Sequence, residues 1–244
     1  MQENEEDVTL LTQSIRAALF DVDGTLYNEN ILKYFMRLEL CTLPFRMNSL
    51  RAAYKVWRSL QCFRHIREDL RKLEATDNSL AVLQYIEVAR QTGEDPAQIE
   101  KVVNEWIYQR PLKYLRICRR NGLNTFLAFL ESRGLRIGVL SDYPVVDKLV
   151  ALDLEGRMSL TLCSLDPAIN AFKPHPKGFL HACEIWQLPP AQVLYIGDRP
   201  VDALGAANAG MPFALVGVTH GKKDEDALTF PSFANLQRAI TPYC

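Results

Sequence analysis

A chain of 244 residues that is 48% hydrophobic and 23% charged has the composition of a globular protein with a core of its own. That excludes a disordered chain, a collagen and a simple coiled coil, and no apolar run approaches the ~18 residues needed to span a bilayer. Lys and Arg number 28 against 29 Asp and Glu, a formal charge of −1, so nothing global points to a nucleic-acid partner.

The stretch from Met1 to Asp7 is acidic and polar, the opposite of a secretion signal. The six cysteines (Cys41, Cys62, Cys118, Cys163, Cys183 and Cys244) form no C-x-x-C pair and no zinc spacing. Free thiols and a cytoplasmic location are therefore expected.

Ala17 to Phe20 is a short apolar run that ends in Asp21-Val22-Asp23-Gly24 and predicts a buried strand. Residues 27–120 contain no such run. Their Leu, Arg, Tyr, Glu and Ala recur at helical spacing, and breaks are expected at Pro44, Thr76-Asp77-Asn78 and Gly93 to Pro96. Three to five helices fit. Asn124 to Arg133 predicts a helix with Phe126, Leu127, Phe129 and Leu130 on one side. Arg136 to Leu140 predicts a strand ending in Ser141-Asp142, and Leu160 to Cys163 a weaker one. A helix over Pro176–Gln187 precedes a strand over Val193–Ile196 that ends in Gly197-Asp198. A helix over Pro200–Ala209 and a strand over Phe213–Val218 follow.

Strands alternating with helices predict an α/β fold whose parallel sheet is covered on both faces. The layout is a core of residues 1–26 and 121–244, interrupted by a helical module over residues 27–120. The module holds 17 basic and 11 acidic residues, so the rest of the chain is acidic. No internal repeat or low-complexity segment is present.

Ligands in such sheets bind beyond the carboxyl ends of the strands. Asp21 and Asp23, Ser141, and Asp198 with Asp202 all fall at strand ends, and Lys173 lies in a Phe-Lys-Pro-His-Pro loop. Two carboxylates two residues apart can divide labour as nucleophile and general acid/base. Further carboxylates suit a hard divalent cation such as Mg²⁺. Two like charges about 4 Å apart cost ~4 kcal/mol at an effective dielectric of 20. The cluster therefore needs a cation and the lysine, or one protonated acid.

The segments Phe20-Asp21-Val22-Asp23-Gly24-Thr25-Leu26, Val139-Leu140-Ser141-Asp142, Lys173-Pro174 and Gly197-Asp198-Arg199-Pro200-Val201-Asp202 stand in the order seen in the haloacid-dehalogenase superfamily. The chain resembles its phosphoglycolate-phosphatase-like members with a type-1 helical cap. The resemblance implies a Rossmann-like core under a mobile cap, and a phosphatase acting on a small phosphomonoester. It implies that Asp21 is the nucleophile forming an aspartyl-phosphate and Asp23 the general acid/base. It implies that Ser141 and Lys173 bind phosphate, with Lys173 also stabilising charge in catalysis. Mg²⁺ would be held by Asp21, the Asp23 main-chain carbonyl and Asp198, with Asp202 an additional acid at the metal's edge.

An aspartate of ordinary pKa, about 3.9, is ionised at neutral pH, so Asp21 would need no activating base. Asp23 needs a raised pKa for its acid step, and neighbouring carboxylates push that way. Arg199 stands where many relatives have Ser, which leaves room for a charge interaction with Asp198 or Asp202. A phosphomutase or phosphotransferase, and a non-catalytic phosphate-binding protein, are the alternative readings. Asp23 argues against true haloacid dehalogenation.

The basic stretch from Arg46 to Lys72 places Arg51, Lys55 and Arg58 on one helical face. That face has three readings: a solvated surface, attraction of an anionic substrate with an effect on KM, or contact with anionic lipid. Tyr54, Trp57 and Leu60 form another stripe, expected to pack inside the module. His65, His175, His181 and His220 form no close metal pair, and Tyr27 and Asn28 are expected to connect the first motif to the module.

Overall fold

The computed structural model describes residues 15–73, 78–217 and 228–241. Met1 to Asp7, Thr76, Asp77, Val218, His220 and Cys244 lie outside the described residues, as does the side chain of Arg46. The described strands are β1 (Ala17–Phe20), β2 (Arg136–Ser141), β3 (Leu160–Cys163), β4 (Val193–Gly197), β5 (Phe213–Val216) and β6 (Leu228–Phe230). They form one parallel sheet in the order β3-β2-β1-β4-β5-β6. The fold is α/β with a Rossmann-like core.

β1 lies at the centre, between β2 and β4, and none of its four residues has any exposure. Alternate residues serve opposite faces, as the period of a strand requires. Ala18 and Phe20 pack with Phe126, Leu127 and Leu130 of α6 (Leu123–Ser132) and with Phe233 and Leu236 of α10 (Phe233–Ile240). Ala17 and Leu19 pack with Phe179, Ala182 and Trp186 of α8 (Lys177–Trp186) and with Ala206 of α9 (Pro200–Asn208). Gly205 of α9 permits this second layer, because a Cβ there would fall 2.6 Å from the Phe179 ring.

The chain leaves β1 through a helical insertion before returning to β2. Its helices are α1 (Glu29–Met47), α2 (Leu50–Leu70), α3 (Leu80–Thr92), α4 (Pro96–Val103) and α5 (Leu112–Cys118), with a π-helical turn at Asn104–Gln109. Pro44 does not break the chain; it lies inside α1. The break comes at Asn48, in the left-handed region at φ 48°, followed by Ser49, whose hydroxyl accepts from Ala52 N and caps α2. Gly93 (φ 74°) ends α3 and Asp95 caps α4, so the expected break there is present. Two apolar clusters fill the insertion, one around Phe63, Val88 and Ile99, the other around Leu43, Val56 and Trp106.

The core continues with α7 (Val146–Ala151) after β2. Cys41, Cys62, Cys118, Cys163 and Cys183 are free. No helix among the described residues is long and apolar enough to cross a membrane.

Candidate active site

Asp21 follows the last residue of β1, and its N–H donates to Ile196 O of β4 at 2.8 Å. The turn that follows needs Gly24, whose φ is 96°. A Cβ there would come within 2.2 Å of Asp198 Oδ2. Arg120 fixes the same turn by donating to Gly24 O at 2.8 and 2.6 Å. Asp198, just past β4, can thus lie against β1's turn. The Thr25 hydroxyl stands 3.3 Å from both Asp21 Oδ2 and Asp198 Oδ1.

Lys173 arrives from the loop before α8, with its cis bond to Pro174, and is 1% exposed. Its Nζ donates to Asp21 Oδ1 at 2.5 Å, Asp202 Oδ1 at 2.6 Å and the Tyr195 hydroxyl at 3.1 Å. Asp202 has no exposure, and its other oxygen accepts from Arg199 N at 3.2 Å. The Arg199 side chain completes the interaction left open in the sequence, with Nε 3.8 Å from Asp202 Oδ2.

Asp21, Asp198 and Asp202 each present an oxygen within 4.8 Å of the others. Burial pushes the Asp21 carboxyl up to about 8; Lys173 opposes this and Asp202 adds to it. Burial, aided by Asp202, pushes Asp198 up to about 6. Lys173 is itself buried, yet Asp202 and Asp21 hold its pKa well above the usual lysine range. Asp21 thus departs from the ordinary carboxylate value expected for it: burial and the neighbouring acids push it upward, against Lys173. Hard oxygen donors crowded with surplus negative charge fit a divalent cation.

Asp23 points away from this cluster. Its Oδ1 accepts from Lys148 Nζ at 2.5 Å and from the Tyr27 hydroxyl, and its Oδ2 accepts from Ser141 Oγ at 3.0 Å. The expected rise in its pKa is not found. Burial acts upward, but the Lys148 charge and the Lys148, Tyr27 and Ser141 hydrogen bonds outweigh it and hold the carboxyl below its usual value. Ser141 Oγ also accepts from Tyr143 N at 3.1 Å.

Asp142, quoted in the second motif without a role, organises the other flank. Ser164 Oγ donates to its Oδ1 at 2.7 Å and Lys173 N at 3.2 Å. Arg71 Nη1, from the end of α2, donates to Asp142 Oδ2 at 2.6 Å and Lys173 O at 2.5 Å. Burial works against the charge, but Lys173, Arg71 and Arg67 keep the Asp142 carboxyl well below the usual range.

The predicted residues therefore fall into two groups: Asp21, Lys173, Asp198 and Asp202 in one, Asp23 and Ser141 beside it. Sequence reasoning missed Lys148, Tyr195 and Arg71, and treated Tyr27 as a connector. Lys148 had one usable signal: it lies seven residues after Ser141, in the helix that leaves the same strand end.

The basic face of α2 is turned elsewhere. Lys55 pairs with Glu94 at 2.8 Å, and Arg58 donates to Gln91 O and Thr92 O at the end of α3. Tyr54 and Trp57 are 59% and 47% exposed, so the expected packing inside the insertion holds only for Leu60, at 3%. His175 Nδ1 accepts from Lys177 N in its loop, and His181 lies 3.2 Å from Glu184.

This arrangement of sheet, insertion and acidic cluster has close parallels. The family model for haloacid dehalogenase-like hydrolases matches residues 15–210, and the chain belongs to that family. A phosphoglycolate phosphatase of Escherichia coli (strain K12) is 32% identical over 105 residues, which cover 42% of this chain and 40% of that protein. The chain thus matches less than half the length of that relative. A phosphoglycolate phosphatase of Pasteurella multocida (strain Pm70) is 29% identical over 216 residues, covering 83% of this chain and 84% of the other.

The solved 2-haloacid dehalogenase of Pseudomonas syringae pv. Tomato DC3000 has the same fold at 18% identity, with a TM-score of 0.65 over 94% of this chain and all of the other. A predicted phosphoglycolate phosphatase of Haemophilus somnus 129PT has it at 17% identity, with a TM-score of 0.54 over 92% and 97% of the two chains.

Proposed function

We propose that the protein is a Mg²⁺-dependent phosphatase of phosphomonoesters. The observation that carries this reading is Lys173 Nζ between Asp21 and Asp202, with Asp198 beside them at the end of a parallel sheet. Residues 1–26 and 121–244 form the catalytic core, and residues 27–120 the cap.

Asp21 attacks phosphorus, and the bond to the leaving oxygen breaks as the aspartyl-phosphate forms. Asp23 protonates that oxygen, then takes a proton from the water that hydrolyses the acyl-phosphate. Ser141 turns its hydroxyl to a phosphoryl oxygen. Lys173 balances charge on Asp21 and the transferring group. Asp21, the Asp23 main-chain carbonyl and Asp198 would hold Mg²⁺, which supplies charge neutralisation for phosphoryl transfer. Substrate phosphate adds negative charge beside Asp23 and draws Ser141 from it, and both changes raise its hold on a proton.

The test is phosphate release by the purified protein with Mg²⁺ from sugar, glycolate, nucleotide and alkyl phosphates. Turnover should vanish with chelator and in Asp21→Asn. Activity persisting in Asp21→Asn would remove the nucleophile assignment, and silence across the whole panel would favour a binding protein.

A further inference from the structure

Asp23 lies on the floor of a cavity of about 760 Å³ between the insertion and the core, with Tyr27, Tyr143 and Lys148 beside it. The leaving oxygen meets Asp23 under the phosphatase reading, on which this inference rests. Whatever that oxygen carries must then extend into the cavity.

The cavity walls are predominantly apolar, with Glu29, Lys33, Arg37, Gln61 and Arg64 also on the lining. Met36 and Leu40 of α1, Trp57 and Leu60 of α2, and Trp106 and Ile107 of the π-helical turn line it. Trp106 and Ile107 are adjacent in the π-helical turn, and both line the cavity. Among the cavity-lining cations other than Lys148, Lys33, Arg37 and Arg64 are all exposed. Lys33 is also paired with Glu29 at 2.7 Å. Trp57 keeps 47% of its surface exposed and Met36 and Leu40 are only partly buried, so apolar area faces the cavity uncovered.

Pockets for ligands of drug-like size run from about 300 to 1,000 Å³ and are lined in this way. A two-carbon phospho-acid would fill a small part of this one and would leave Trp57 wet. We propose that the substrate is a phosphate monoester of a bulky apolar alcohol, an alkyl or aryl group of about eight carbons or more. Its phosphate sits over Asp21 and its apolar body between α1, α2 and the π turn.

Calorimetric titration of the full chain with Mg²⁺ and ethyl-, butyl- and octylphosphonate tests this without hydrolysis. Each buried methylene brings about fourfold in affinity, so octylphosphonate should bind on the order of 100-fold more tightly than butylphosphonate. Trp57→Asp should flatten that dependence, and circular dichroism checks that this half-exposed position leaves the fold intact. Equal affinity along the series, or a slope unchanged in Trp57→Asp, overturns the assignment.

Phosphate release from ethyl and octyl phosphate reads the phosphatase proposal separately. A steep binding series with no release would sustain the apolar pocket and remove hydrolysis. Release from dioleoyl phosphatidate in phosphatidylcholine vesicles, as well as from octyl phosphate, supports the apolar alcohol and puts its source in a bilayer. Release from octyl phosphate alone supports it as a solute.

Discussion

Lys148 and Asp23 form an ion pair at 2.5 Å, with side chains only 7% and 15% exposed. The lysine comes from the helix after β2 and the acid from the turn after β1, so the pair ties the two strand ends together. The same acid is held by Tyr27 and Ser141. Asp23 is therefore aimed at the cavity rather than at the Asp21 cluster.

Removing Lys148 leaves a largely buried carboxylate without its cation. Lys148→Met should lower kcat/KM on the order of 10-fold or more, with Lys148→Arg recovering part of it. Breaking a buried pair from one side costs about 3–5 kcal/mol, less for the residual exposure here. Urea unfolding of the two variants checks the stability effect, and steady-state kinetics the catalytic one.

Arg67 joins the insertion to the core almost without exposure. It donates to Gln84 Oε1 and to Asp142 O, each at 2.6 Å, and its guanidinium lies 4.0 Å from the Tyr143 ring and 4.2 Å from that of Phe172. Arg67→Met keeps the stem but removes the donor to the Asp142 carbonyl and to Gln84 Oε1, while Gln84 Nε2 keeps its bond to Ala81 O. We expect a loss of about 2–4 kcal/mol in chemical unfolding.

Gly24→Ala should be disabling despite its size. The new methyl meets Asp198 at 2.2 Å on a backbone at φ 96°, so either the turn or Asp198 must move. Mg²⁺ affinity by calorimetry should fall at least about 10-fold, a loss of ~1.4 kcal/mol. Turnover should fall with it.

Glu39 provides the pH test. Burial acts upward on its carboxyl, but hydrogen bonds from Lys113, Tyr114 and Arg110 hold it down to about 2 against an ordinary 4.5. A depressed folded pKa means the unfolded chain binds the proton first. The stabilisation is whole above pH about 4.5 and fades as pH falls towards 2. Glu39→Gln should therefore lower stability by about 2 kcal/mol at neutral pH. The gap in Tm between variant and wild type should narrow between pH 4.5 and 3.

The core was legible because buried parallel strands read as short apolar runs closed by Asp or Gly. β1 and β3 have the predicted bounds, and β2 and β4 each run one residue further. β6, α7 and α10 were missed: Leu228–Phe230 is a three-residue edge strand and Val146–Ala151 a six-residue helix, both too short to show a pattern. Pro44 misled because its cost to a helix is local, whereas Asn48 and Ser49 together satisfy both helix ends. Asp21, Asp198 and Asp202 were readable as charges at strand ends, and Lys173 as a lysine in the loop before β4. Tyr195 and Arg71 were not, since they reach the site by side-chain length from a strand interior and a helix end, and Lys148 carried only its distance from Ser141 as a signal.

The two crossings between insertion and core are bonded to each other. Tyr27 pairs with Arg119 in an antiparallel bridge, Asn28 N donates to Cys118 O at 2.8 Å, and Arg120 N donates to Leu26 O at 3.0 Å. The two ends of the insertion are thus tied to one another where they meet the core. Tyr27 belongs to that tie and also donates its hydroxyl to Asp23, so one residue serves both the base of the insertion and the hydrogen bonding of the acid.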